Sequence, residues 1–129
     1  MKMKGFLIVA LFMLGGSLNG YALPMQYENL YCTGYDSSGK KIIFQTDDPR
    51  NVKKDGVLGR YFLLREIDEG RFKKEMWTVI NICWSINDYS VDYIIVGREG
   101  NADFILYEND LHGIFKTDFY EIKLTCSEF

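Results

Sequence analysis

The chain has 129 residues, enough for one domain and too few for two. It is 47% hydrophobic and 26% charged with two prolines, which excludes a collagen-like or disordered chain. An aromatic share of 16% suits pleated strands around a packed core.

The first residues have the layout of a secretory signal. Lys2 and Lys4 form a positive start, Phe6 to Leu14 is apolar, and Gly20-Tyr21-Ala22 places small residues where a signal peptidase reads them. The apolar run is shorter than the roughly 20 residues a bilayer needs. Cleavage after Ala22 is therefore expected, with residues 1 to 22 as signal peptide and residues 23 to 129 as one β-rich domain in a secreted or periplasmic setting. Cleavage takes two of the 15 basic residues, leaving 13 against 18 acidic ones, a net charge of −5. That balance excludes nucleic acid and anionic membrane as expected partners, because phosphate binding needs a basic face. It suits a protein partner, including a cationic one.

The remaining chain reads as strands between turns. Tyr31 to Gly34, the turn cluster Asp36-Ser37-Ser38-Gly39, and Lys41 to Thr46 form a hairpin pattern. Asp47 to Gly56 reads as a polar loop. Val57 to Ile67 is a third strand, closed by Asp68-Glu69-Gly70. Phe72 to Ile86 is long for one strand, so a bend or bulge is expected near Glu75 or Asn81. Asn87-Asp88 is a hairpin signal before Tyr89 to Val96, which places Tyr89, Val91, Tyr93 and Ile95 on one face. Gly97 to Asn101 is a turn, Ala102 to Tyr107 a strand, and Glu108 to Asp118 polar and irregular. Phe119 to Cys126 alternates cleanly, with Tyr120, Ile122, Leu124 and Cys126 on one face. The result is an all-β fold, a small antiparallel barrel or sandwich of seven or eight strands. No sustained helical period follows the signal.

Three cysteines allow one internal disulfide and leave one thiol. Cys32 and Cys126 stand in the first and last strands, and pairing them would close the domain. Cys83–Cys126 is the alternative. Cys83 lies in the apolar run Val79 to Trp84, where a free thiol is expected to be buried as a small hydrophobe.

The sequence offers few catalytic constellations. His112 is the one histidine, and Ser37, Ser38, Ser85, Ser90 and Ser127 are candidate nucleophiles outside any nucleophile-elbow motif. A Cys83–His112 thiol dyad conflicts with the apolar neighbours of Cys83. Carboxylates cluster at Asp47-Asp48, at Glu66-Asp68-Glu69 and at Glu108-Asp110, within turns where Asp supports turn geometry. Asp36, Asp47 and Asp48 do not reproduce a calcium-loop pattern, and no zinc spacing or phosphate loop occurs. No cofactor, no metal and no catalytic residue are expected. The aromatics, from Tyr31 to Tyr93, divide between core packing and a binding face in a way the sequence leaves open.

Leu30-Tyr31-Cys32 and Leu124-Thr125-Cys126, at the two ends of an exported chain, resemble the frame of small periplasmic β-barrel inhibitors of c-type lysozyme. The likeness implies a barrel. The family's Ser-Gly-x-x-Tyr motif has no counterpart, since Glu69-Gly70-Arg71-Phe72 lacks both Ser and Tyr, and no inhibitory residue carries over. The function expected from the residues is an exported, non-catalytic binding protein of inhibitor or immunity type that occludes a protein partner. The alternatives are a small carboxylate-dependent hydrolase and a small-ligand carrier with an apolar barrel cavity.

Overall fold

A computed structural model describes residues 29–129. The expected signal peptide, residues 1 to 22, lies outside the described residues. Eight antiparallel strands follow in chain order: β1 Leu30–Tyr35, β2 Lys41–Thr46, β3 Gly59–Asp68, β4 Arg71–Ser85, β5 Ser90–Gly97, β6 Gly100–Tyr107, β7 His112–Lys116 and β8 Glu121–Glu128. One short helix, α1 Pro49–Asp55, joins β2 to β3.

Each strand pairs with the next, and β1 pairs with β8, so the sheet is a closed barrel rather than a sandwich. Alternation puts one face of every strand inside. Eight strands enclose a space that side chains can fill. Here rings fill it. Phe44 stacks on Tyr61 with centroids 4.5 Å apart and meets Phe104 at 4.6 Å. Phe104 stacks on Tyr93, and Trp77 meets Phe115 edge-on. Phe44, Tyr61, Tyr93, Phe104 and Phe115 are all fully buried. Burial, and then the neighbouring Tyr93 phenol, push the Tyr61 hydroxyl well above its ordinary pKa.

The seam carries the cross-link. Cys32 and Cys126 are register partners on β1 and β8, with Cα atoms 4.0 Å apart, and they form a disulfide. Gly34 lies farther along the same seam. A Cβ there would strike the backbone carbonyl of Lys123, so the two strands approach at a point where no side chain fits.

Several expectations need correction. The loop Asp47 to Gly56 contains α1. Asp48 caps it by accepting from the Arg50 amide, Pro49 opens it, and Gly56 closes it in the left-handed conformation. The segment Glu108 to Asp118 contains β7. Gly113 is buried there, where a Cβ would come within 2.6 Å of the Phe104 ring. Ile114 and Phe115 then alternate outward and inward. Tyr89 and Tyr120 do not join the buried faces of β5 and β8. Tyr89 stands in the turn with φ 52°, and both rings are exposed.

Cys83 is the most consequential difference: it is exposed. Trp77 and Val79 point inward, and the β4–β5 register shifts between Val79 and Asn81. The extra residue reverses the alternation. Ile82 thereby packs against the core, opposite Tyr93, and Cys83 turns to the outer wall opposite Asp92. The bulge expected near Asn81 is present; its effect on Cys83 is to expose it.

The disulfide spans a separation of 94 residues. Replacing both Cys32 and Cys126 with alanine is expected to lower the unfolding free energy by about 2–4 kcal/mol. Denaturant unfolding, followed by tryptophan fluorescence, measures the loss.

Candidate functional site

An antiparallel meander sorts its turns between two ends. The β2–β3, β4–β5 and β6–β7 turns share one end with both chain termini of the barrel. The β1–β2, β3–β4, β5–β6 and β7–β8 turns share the other.

The β4–β5 turn, Ile86 to Tyr89, projects exposed apolar side chains at the first end. Ile86 is 85% exposed, Tyr89 59% and Trp84, at the rim just before the turn, 42%. The turn is held in place. The Asp88 carboxylate accepts a 2.7 Å bond from the Ser90 hydroxyl, and its bonds from Ser85 and Ser90 hold it below the usual carboxylate range. The Tyr89 carbonyl accepts from the Glu108 amide at 2.9 Å, tying the turn to the β6–β7 connection. A bulky residue in the left-handed region is uncommon and persists where surrounding bonds fix it. The turn is therefore a preorganised apolar projection.

The segments that flank the turn in sequence are acidic. Between Lys74 and Arg98, and again between Arg98 and Lys116, the chain has no lysine or arginine. The same stretches carry Asp88, Asp92, Asp103, Glu108 and Asp110. The basic residues of this end stand on α1 in the β2–β3 connection, with Arg50, Lys53 and Lys54.

The sequence candidates for catalysis are dispersed over the barrel. His112 lies on the outer wall of β7, its ring stacked on Tyr107 at 4.6 Å and its Nδ1 2.6 Å from Asp110 Oδ1. That bond holds the Asp110 carboxyl down. Ser85 and Ser90 are committed to Asp88, and Ser38 bonds to Asp36 within the β1–β2 turn at the far end. Cys83 lies on β4 opposite Asp92, not beside His112, whose register partners are Tyr107 and Thr125. The structure does not bring Cys83 and His112 together as a dyad.

The carboxylate clusters have structural partners. Asp47 meets Arg60 at 3.2 Å, and Asp55 meets the same guanidinium at 2.8 Å, an arrangement that ties α1 to β3. The Asp55 bond is the largest cause raising the Arg60 pKa. Asp48 binds Arg50 at 2.7 Å and is held at about 2 by that contact. Glu66 accepts from the Lys41 amide, and Asp68 pairs with Arg71. Among the described residues, no group of three His, Cys, Asp or Glu is arranged to hold a metal.

Asp92 is the exception among the acids. It stands on the outer wall between Cys83 and Ile105, and its Oδ1 is buried without a hydrogen-bond partner. Burial first, and then the charge of Asp103, push its carboxyl up.

The chain matched no protein-family model, and searches of curated proteins and of solved structures returned no match.

Two results are expected from this geometry. Cys83 should react with a small alkylating agent in the native protein, giving one modified thiol per chain before any denaturant is added; protection until unfolding would contradict its outward placement. Asp92→Asn should raise the melting temperature at neutral pH. A carboxyl raised in the folded state binds its proton more tightly there than when unfolded, so its charge weakens the fold above the unfolded value near 3.9. The gain should therefore shrink as pH falls toward that value, which thermal melts across pH 3 to 8 would follow.

Proposed function

We propose that the protein is an exported, non-catalytic binding protein that occludes a cationic protein partner with the barrel rim around the β4–β5 turn. The observation that carries this reading is the turn itself: Ile86, Tyr89 and Trp84 exposed together on a segment fixed by Asp88. Exposed aromatic and aliphatic anchors on a rigid support lose little conformational entropy on binding. The acidic setting adds steering toward a positive surface and raises the association rate more than the final affinity. The Cys32–Cys126 disulfide supports an extracellular or periplasmic location, because such bonds persist in oxidising compartments.

The commitments of the polar groups favour binding over hydrolysis. Asp48 caps a helix, and Asp47 and Asp68 pair with arginines, so these acids are already serving the fold.

Affinity capture from an extract of the exported compartment tests this reading. The intact protein should retain a basic protein, and retention should fall as salt rises. Ile86→Ala and Tyr89→Asn, the latter tolerant of the left-handed backbone, should each weaken binding by about tenfold or more, the scale of a hot-spot residue. Lys40→Ala, in the β1–β2 turn at the far end, should leave it unchanged. Binding that survives both turn substitutions would refute the assignment of the surface.

A further inference from the structure

The fifteen-residue β4 is longer than either neighbour can cover. It pairs with β3 from Arg71 to Val79, but its pairing with β5 begins only at Thr78, opposite Val96. From Arg71 to Trp77 the β5-facing edge therefore has no strand beside it among the described residues. A groove of about 790 Å³ lies there, lined by Lys73, Glu75, Met76, Thr78, Val96 and Arg98 among others. Backbone groups along such an edge are a template for another strand.

We propose that this edge pairs with the same edge of a second copy of the chain, antiparallel, about a two-fold axis at Lys74. The argument is charge complementarity. In this register, Lys73 faces Glu75 of the second copy, and Glu75 faces its Lys73. Phe72 faces Met76 on the other side of the sheet, again twice by symmetry. Met76 is 52% exposed in the single chain, so the contact covers apolar surface. Facing residues on an antiparallel pair interact directly, and opposite charges favour the match.

The neighbouring registers that keep each residue on its own face are worse. A shift in one direction sets Lys73 against Lys73, and a shift in the other sets Glu75 against Glu75. The chosen register sets Lys74 against Lys74, but Lys74 Nζ already lies 4.0 Å from the centroid of its own chain's Phe62 ring. That contact draws the charge along the sheet surface. The exposed lysines deter indiscriminate strand pairing, while the Lys-x-Glu spacing admits one partner and one alignment.

A single strand pair buries a small interface, so the association is weak and depends on concentration. Sedimentation equilibrium of the protein as it accumulates from the full chain, with Cys83 alkylated to prevent a disulfide-linked dimer, tests the proposal. Between about 1 µM and 1 mM, the range of weak association, the protein should shift from one chain toward two. Lys73→Glu and Glu75→Lys should each weaken dimerisation by about tenfold or more, because each places like charges opposite one another twice. The double variant Lys73→Glu/Glu75→Lys should recover it, which also shows that both substitutions are compatible with folding. A monomer at every concentration, as expected if the edge takes a segment of a different protein, would overturn the proposal. So would a dimer indifferent to the single swaps, or one that the double swap fails to restore.

Discussion

The pairing of β1 with β8 is the contact on which the rest of the barrel depends. Without it, the molecule is an open eight-stranded sheet with two long edges and an exposed aromatic face. With it, every inward ring finds neighbours around the whole circumference. The seam is supported in three ways. Ladder pairing runs from Leu30 opposite Glu128 to Gly34 opposite Leu124. The disulfide joins its middle, and Gly34 lets the strands approach where a side chain would collide with Lys123. Closure also removes the edges that an open sheet would present to other chains.

β4 is where the closed pattern is broken, and the surface features of interest follow from that. Its length leaves the Arg71 to Trp77 edge beyond the reach of β5. Its register shift after Val79 reverses which side chains point inward, placing Cys83 outside and sending Ile82 to the core. Near its end, Trp84 reaches the rim beyond the start of β3 and joins Ile86 and Tyr89 at the turn. One strand thus supplies the exposed thiol, the uncovered edge and the base of the apolar projection. A bulge in a barrel wall re-aims the side chains that follow it, at the cost of a local break in the ladder.

Much of this fold was legible from alternation. Ile122, Leu124 and Cys126 against Glu121, Lys123 and Thr125 have one arrangement on a half-buried strand, and the structure adopts it. The terminal cysteines and the long β4 could be read in the same way. The misses have particular physical causes. α1 buries no residue, so it has no apolar stripe to display; only the caps Asp48, Pro49 and Gly56 mark it. β7 is short and lies in a polar stretch, and the role of its Gly113 is set by the Phe104 ring on the neighbouring strand, a contact invisible to local sequence. Cys83 was misplaced because a bulge foreseen only to within a few residues decides a face that changes with every residue. The candidate site was the least legible. Tyr89 looked like one more member of an inward row, and its exposure depends on turn bonds to Glu108 and on Asp88.

Residue-resolved hydrogen exchange under native conditions tests closure most directly. If β1 and β8 are paired along the seam, their ladder amides, together with the Cys126 amide bonded to Leu111, should be protected about as strongly as those of β5 and β6. Amides of β1 and β8 that exchange orders of magnitude faster than those of β5 and β6 would mean that the sheet is open, and would contradict the account.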